Sequence, residues 1–158
     1  MCTGNICRSP AGHAVLQKKL NEAAAQGETW ASKVVVDSCG LGGWHEGEAP
    51  DRRAQKAGKK RGYDLNHPAR AITGADLITS DLILAMDQGH SNKLKRLLPQ
   101  TVDPKCVRLF RSFDQYSRPD DEVADPYYGG EDGFEQMFDV IEAAMPGIMS
   151  WLKMRVAR

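Results

Sequence analysis

The chain has 158 residues, of which 41% are hydrophobic and 27% are charged, and its 21 basic and 21 acidic residues leave no formal net charge. This length and composition predict one soluble globular domain spanning residues 1–158. Zero net charge argues against nucleic acid as a partner, and the absence of an apolar run near 20 residues argues against a membrane-spanning segment.

The first stretch, residues 2–10, reads CTGNICRSP and joins a cysteine, five intervening residues and an arginine to a helix start. Ser9 is a good N-cap and Pro10 suits the first helical position, which predicts a helix from Pro10 to about Gln26. Backbone N–H groups of a loop at a helix N-terminus bind anions. We expect Cys2 to exist there largely as a thiolate and Arg8 to bind phosphate through its fork of donors. This combination indicates phosphoryl transfer to sulfur.

Short apolar runs and helical patterns then alternate along the chain. We predict a buried strand at Val34–Val36, helices at about 51–61, 73–80 and 88–98, strands at 81–86 and 106–110, and a final helix at about 134–156. Pro146 should kink or split the final helix. The basic side chains of 51–61 are expected to form a solvated face. Alternating strands and helices predict an α/β fold, a single three-layer domain with a twisted parallel sheet of about four strands and helices on both faces.

The four cysteines, Cys2, Cys7, Cys39 and Cys106, lack the spacing of a zinc site. They are typical of a reducing compartment, so we expect a cytoplasmic protein. The anion loop and Arg8 can neutralise a phosphate without a metal, so neither a metal nor another cofactor is expected.

Taken together, these residues resemble the low-molecular-weight protein tyrosine phosphatases. Residues 2–10 are similar to the phosphate-binding loop of that family, and Asp125-Pro126-Tyr127-Tyr128 is similar to its acid loop. Further similar motifs are Val36-Asp37-Ser38, His67 with Arg70, and Met86-Asp87. The resemblance covers essentially the whole chain in one order.

The resemblance implies an enzyme that hydrolyses phosphotyrosine and small aryl phosphates through a phosphocysteine intermediate. Cys2 would be the nucleophile, Arg8 would bind the phosphate oxygens, and Asp125 would act first as acid and then as base. A deprotonated Cys2 beside a protonated Asp125 predicts a bell-shaped, mildly acidic pH profile. The expected partners are phosphotyrosine proteins or peptides and phosphate or other oxyanions, with the protein a monomer or weak dimer.

The resemblance also implies roles around the loop. The expected phosphate-binding residues are Thr3, Gly4, Asn5, Ile6, Cys7, Arg8 and Ser9. Asn5, Ser38 and His67 would form a hydrogen-bond network that holds the loop open, although Asn5 alone could simply make the turn. Ser9 would cap the helix and donate its hydroxyl to the Cys2 thiolate.

Two further roles concern oxidation and substrate shape. Cys7 is either a small buried thiol or a partner that condenses with oxidised Cys2 and prevents overoxidation. Trp44, Tyr127 and Tyr128 are expected to wall the pocket mouth and favour an aryl phosphate, although Trp44 could be an ordinary loop aromatic.

Two alternatives stay open at the level of sequence. One is a phosphate- or phosphotyrosine-binding module without turnover. The other is an arsenate reductase of the same fold, which would require more cysteines downstream. Residues 84–90 contain none, and Cys106 is a lone candidate.

The family pattern places an apolar strand directly before the nucleophile, where this chain has only Met1. We therefore expect either that the true chain starts several residues earlier or that this form is truncated. If this is the whole protein, poor solubility, a repacked strand at 34–36 or a strand donated by a partner chain is expected.

Overall fold

The computed structural model describes residues 1–157, in which five α-helices surround a small parallel sheet. The helices are α1 (Arg8–Ala25), α2 (Arg52–Lys60), α3 (Gly74–Thr79), α4 (Gln88–Leu97) and α5 (Glu131–Val156). The strands are β1 (Ile83–Ala85) and β2 (Val107–Leu109). Single 3-10 turns lie at Ala31–Lys33, Pro104–Cys106 and Phe110–Phe113. None of the helices within 1–157 combines the length and apolar character needed to cross a bilayer.

Local capping explains where most helices begin. The Asp51 carboxylate accepts from the Arg53 N–H at 2.8 Å and starts α2. Thr73 and Asp76 form a reciprocal capping box at the start of α3. The predicted start of α1 is wrong by two residues, because the helix begins at Arg8 and its N-cap makes no side-chain bond. The Ser9 hydroxyl lies inside the helix and makes other contacts, so its predicted capping role is also wrong.

The sheet is parallel, and it extends beyond its two strands through single backbone bridges. In the β1–β2 ladder, Ile83 pairs with Val107. On the other side of β1, the Met1 amino group donates to the Leu84 carbonyl at 2.6 Å. Parallel bridges then join Cys2 to Gly40 and Gly40 to Ala71. The α/β prediction is confirmed, but two strands and two bridges stand where about four strands were predicted.

The predicted strand at Val34–Val36 does not form. Among residues 1–157 its backbone pairs with no neighbouring strand, and the Val35 side chain is 93% exposed. Val34 and Val36 are partly buried against the core. The β-branched run therefore alternates inward and outward side chains without the ladder that defines a strand.

Alternation along β1 divides the core into two layers. Ile83 and Ala85 belong to the cluster that contains Leu77 of α3 and Leu94 of α4. Leu84 and Met86 instead pack with the larger cluster formed by α1, α2 and α5. Side chains on opposite faces of a strand meet different layers, so helices cover both faces of the sheet as predicted.

The last helix is one continuous element of 26 residues, so of the predicted kink or split at Pro146 the split does not occur. Its buried face includes Phe138, Ile141 and Ile148. Gly147 lies against the Phe113 carbonyl, where a β-carbon would overlap the backbone.

The basic helix α2 is paired with acidic side chains of α5. Lys56 Nζ lies 2.8 Å from Glu131 Oε1. Arg61, the residue that follows α2, places its Nη2 3.0 Å from Glu135 Oε2. The charge run of α2 is therefore an ion-pair surface between two helices and not only the solvated face expected from the sequence.

Candidate active site

Residues 2–7 form a compact loop between the sheet and α1, and Arg8 and Ser9 open the helix that follows it. Asn5 has a φ of 59°, a left-handed conformation that Asn tolerates better than most residues. Gly40 of the neighbouring segment lies directly beneath the loop, since a β-carbon there would stand 2.7 Å from the Thr3 carbonyl oxygen. The loop therefore depends on a close backbone approach that only glycine allows at this position.

Cys2 is buried and touches the Ser9 hydroxyl. Its Sγ lies 3.0 Å from Ser9 Oγ. The same Oγ accepts a hydrogen bond from Asn5 Nδ2 at 2.7 Å. Because Ser9 Oγ accepts a hydrogen bond from the Asn5 amide, its own proton can point toward the sulfur and stabilise a thiolate.

Asn5 is fully buried and connects three parts of the chain. Its Nδ2 also donates to Ser38 Oγ at 3.1 Å, and its Oδ1 accepts from the Arg70 backbone N–H at 2.9 Å. A buried amide with these three partners holds the loop against the segments around Ser38 and Arg70.

Contrary to the prediction, His67 does not join this network. Its Nε2 lies 2.8 Å from Asp37 Oδ1, because the carboxylate preceding Ser38 attracts the imidazole. His13 of α1 approaches Ser38 instead, with Nδ1 3.4 Å from Ser38 Oγ. Burial, followed by the neighbouring His67, lowers the pKa of His13 below its usual value.

Arg8 is buried and stands between two acids. Its Nη1 donates to Asp87 Oδ2 at 2.9 Å and to the Val123 carbonyl at 3.1 Å. Its Nη2 donates to Asp125 Oδ2 at 3.3 Å, although the two residues are 117 positions apart. Nη1 is thus held by the protein interior, while Nη2 reaches an acid whose side chain is half-exposed.

Thr3 and His90 form a contact that the sequence did not predict. Thr3 Oγ1 lies 2.8 Å from His90 Nε2. Burial, which outweighs the nearby Asp87 carboxylate, lowers the pKa of His90 to about 4, so its ring is neutral at pH 7. One feature of the sequence could have indicated this contact, because Asp87 stands where a helix N-cap is expected. Its carboxylate caps α4 by accepting from the His90 N–H at 2.8 Å, and this places His90 at the site.

The expected wall residues lie in two separate loops. Tyr127 is close to the acid, since its N–H donates to Asp125 Oδ1 at 3.1 Å. Tyr128 is 94% exposed and meets Tyr127 edge to face at 5.0 Å. Trp44 is 72% exposed, and its ring lies on the backbone of Gly42. The side chains of all three aromatic residues are therefore exposed to solvent.

Cys7 is buried in the loop, and burial raises the pKa of its thiol to about 12. The nearby Asp51 carboxylate adds to this effect. Cys7 is therefore a protonated thiol at neutral pH, whereas a cysteine nucleophile must be a thiolate. All four cysteines are free.

Comparison with known proteins agrees with this geometry. Residues 1–158 match the model of the low molecular weight phosphotyrosine protein phosphatases. The low molecular weight protein-tyrosine-phosphatase of Streptomyces coelicolor is 41% identical over 157 residues, which cover 99% of this chain and 93% of that protein. The low molecular weight phosphotyrosine protein phosphatase of Homo sapiens is 37% identical over 139 residues, covering 87% and 84% of the two chains.

Solved structures agree as well. A protein tyrosine phosphatase from Entamoeba histolytica, crystallised with Hepes in its active site, superposes with a TM-score of 0.84 at 34% identity, covering 96% and 92% of the two chains. Wzb of Vibrio vulnificus, in complex with benzylphosphonate, gives 0.73 at 29% identity over 96% and 93%. These matches confirm the resemblance and the prediction of a hydrolase of this kind: the chain belongs to the low molecular weight phosphotyrosine protein phosphatase family.

Proposed function

We propose that this protein hydrolyses phosphotyrosine in proteins or peptides, and small aryl phosphates, through a phosphocysteine intermediate on Cys2. The observation that carries the proposal is the 3.3 Å contact between Arg8 of the Cys2 loop and Asp125. It joins a phosphate-binding cation to a candidate proton donor from a distant segment. The names of the relatives and the benzylphosphonate bound by a structural neighbour support the substrate class.

Binding begins with neutralisation of a phosphate dianion. The N–H groups of the loop and the Arg8 guanidinium supply positive charge where an anionic nucleophile must approach. Asp87 and the Val123 carbonyl hold Nη1 of Arg8 in place. A phosphate oxygen arriving at Nη2 competes with Asp125 for the same donor, which frees the carboxyl group to turn toward the leaving oxygen.

The first chemical step transfers the phosphoryl group to sulfur. The electron pair of the Cys2 thiolate forms the S–P bond while the P–O bond to the tyrosine oxygen breaks. Asp125 donates its proton to that oxygen, so a neutral phenol leaves. Arg8 stabilises the charge that spreads over the three equatorial oxygens.

The second step reverses the role of the acid. Asp125, now a carboxylate, takes a proton from water as the water oxygen attacks phosphorus. The S–P bond breaks, inorganic phosphate forms, and the electron pair returns to Cys2. The Ser9 hydroxyl, 3.0 Å from Sγ, stabilises the thiolate that leaves.

The test measures hydrolysis of para-nitrophenyl phosphate and of matched phosphotyrosine and phosphoserine peptides. Cys2→Ser should abolish turnover, and Asp125→Asn should lower kcat by about 10²–10⁴ because the leaving group loses its proton donor. Asp120→Asn is the matched control, since Asp120 is an exposed acid of the same loop and should leave kcat unchanged. Mass spectrometry of rapidly quenched enzyme should show a phosphate on Cys2.

Other results would contradict the proposal. Tight binding of phosphotyrosine peptide with no release of phosphate would identify a binding module. Thiol-dependent reduction of arsenate without phosphatase activity would identify the reductase. Equal rates on phosphoserine and phosphotyrosine peptides would refute the assignment of substrate class.

A further inference from the structure

Three metal-ligating side chains meet beside α1, outside the residues of the proposed reaction. They are His13 of α1, Asp37, which precedes Ser38, and His67. One ring nitrogen from each histidine and one carboxylate oxygen of Asp37 all lie within 4.8 Å of one another. The two imidazole rings are 5.0 Å apart between centroids. The three positions are widely separated in sequence, so no ligand spacing reveals them there.

We propose that His13, Asp37 and His67 form a binding site for one divalent transition-metal ion of the Zn²⁺ class. Imidazole and carboxylate are ligands of zinc at about 2.0–2.2 Å, which places tetrahedral ligand atoms roughly 3.3–3.6 Å apart. The observed separations, from 2.8 Å between His67 Nε2 and Asp37 Oδ1 up to the 4.8 Å limit of the cluster, bracket this spacing. The same donor set suits Ni²⁺ and Co²⁺.

The cluster is partly accessible to solvent. His13 and His67 are half-buried and Asp37 is exposed. Both histidines line a cavity of ≈ 340 Å³ that runs between α1 and residues 62–67. Three protein ligands with solvent access leave room for water as the fourth ligand, the arrangement of an open zinc site.

Neighbouring groups orient the proposed ligands. The Ser38 N–H donates to Asp37 Oδ1 at 2.7 Å, and Arg70 Nη2 donates to Asp37 Oδ2 at 2.7 Å. The positive charge of Arg70 opposes a bound cation, but Asp76 lies 2.8 Å from Arg70 Nη1 and offsets that charge. The Ser38 hydroxyl, 3.4 Å from His13 Nδ1, holds the second imidazole. Outer partners of this kind fix the orientation of metal ligands.

One polar atom of the cluster lacks a hydrogen-bond partner among the described residues. His67 Nδ1 is buried and has no hydrogen-bond partner within residues 1–157. A buried ring nitrogen without a partner is uncommon. A metal ion bound at His67 Nδ1 would give this nitrogen a partner and leave Nε2 in contact with Asp37 Oδ1.

The test is isothermal titration of the full chain with ZnCl₂ in phosphate-free buffer, using Cys2→Ser protein so that the nucleophile cannot bind the metal. We expect one equivalent of zinc. His13→Ala should weaken binding at least about 10-fold, since loss even of an outer partner typically costs 10–100-fold. His45→Ala is the matched control, because His45 pairs with Glu48 outside the cluster and should bind zinc like the parent.

A second measurement separates ligand loss from misfolding. Saturating zinc should shift the ring signals of His13 and His67 in NMR spectra of the Cys2→Ser protein and leave those of His45 and His90 in place. X-ray absorption at the zinc edge should show nitrogen and oxygen ligands only. Unchanged His13 and His67 signals at saturation, or sulfur in the zinc shell, would overturn the proposal, as would a folded His13→Ala variant that binds zinc as tightly as the parent.

Discussion

Asn5 is the residue whose replacement tests the loop most directly. It is fully buried, its φ is 59°, and its amide makes three hydrogen bonds. Asn5→Ala removes all three bonds and leaves the Arg70 N–H and two serine hydroxyls without their partner. It also places an alanine in the left-handed region, where a β-carbon is unfavourable.

The magnitude follows from these contacts. Each hydrogen bond contributes about 0.5–1.5 kcal/mol net, and the left-handed conformation costs alanine about 1–2 kcal/mol. We therefore expect the free energy of unfolding to fall by about 2.5–6.5 kcal/mol, a large part of the 5–15 kcal/mol typical of a domain. The loss of loop order should lower kcat in parallel.

The assay is urea unfolding followed by tryptophan fluorescence and circular dichroism, with linear extrapolation to water. Asn5→Gly is the matched control, since it loses the same hydrogen bonds but accepts the positive φ. It should be more stable than Asn5→Ala by about 1 kcal/mol, because the greater freedom of glycine in the unfolded chain offsets part of the backbone penalty that alanine pays. A loss below about 1 kcal/mol for Asn5→Ala would refute the network argument, and an Asn5→Gly variant less stable than Asn5→Ala would refute the backbone argument.

Three further predictions concern oxidation, packing and pH. Peroxide-treated enzyme should regain activity with dithiothreitol, and Cys7→Ser should regain much less, because Cys7 would condense with the sulfenic acid of Cys2 to a disulfide and water. Gly147→Ala should lower the free energy of unfolding in urea by about 1–3 kcal/mol, since its β-carbon would overlap the Phe113 carbonyl. Burial lowers the pKa of His90 from 6.5 to about 4. The free energy of unfolding should therefore be highest above pH 6.5 and fall between pH 6.5 and 4, because in that range the unfolded chain binds a proton that the folded chain does not. Urea titrations at several pH values in this range should show that the free energy of unfolding of His90→Asn depends less on pH than that of the parent.

Each of these predictions has an outcome that contradicts it. Equal recovery of the Cys7→Ser enzyme would remove the redox role of that thiol. Gly74→Ala is the packing control, because a β-carbon there meets nothing within 4 Å among residues 1–157, and an equal loss in both glycine variants would contradict the steric argument. Parallel pH dependence of unfolding in the parent and His90→Asn would show that this histidine is not held neutral by the fold.

Features that depend on a few neighbouring residues could be read from the sequence. The helices predicted at about 51–61 and 73–80 begin where expected, with Asp51 and Thr73 as their N-caps, because a capping side chain reaches only two or three residues along the chain. The same holds for the left-handed Asn5 and for the loop that precedes α1. The strand at 83–85 was evident because nearly every residue of its run is apolar.

Errors arose where a local pattern had more than one long-range outcome. The run Val34–Val36 is β-branched, but a strand also needs a neighbouring backbone, which sequence alone does not show. Pro146 does not split α5, since burial of its apolar face stabilises one long helix. Ser9 was expected to cap α1, but its hydroxyl contacts Cys2.

The cysteine loop, the candidate acid Asp125 and the family could therefore be predicted from the sequence itself, because they rest on residue identity and short motifs. Only the tertiary structure decided which partners meet: Arg8 with Asp87 and Asp125, Thr3 with His90, and His13 with Asp37 and His67. These pairs are set by how the parallel segments around Cys2, Gly40, Ala71 and β1 lie side by side. The loops that follow Cys2 and β1 converge at one edge of the sheet, whereas Asp37 and His67 precede Gly40 and Ala71. In both places, distances across the fold are independent of distances along the chain.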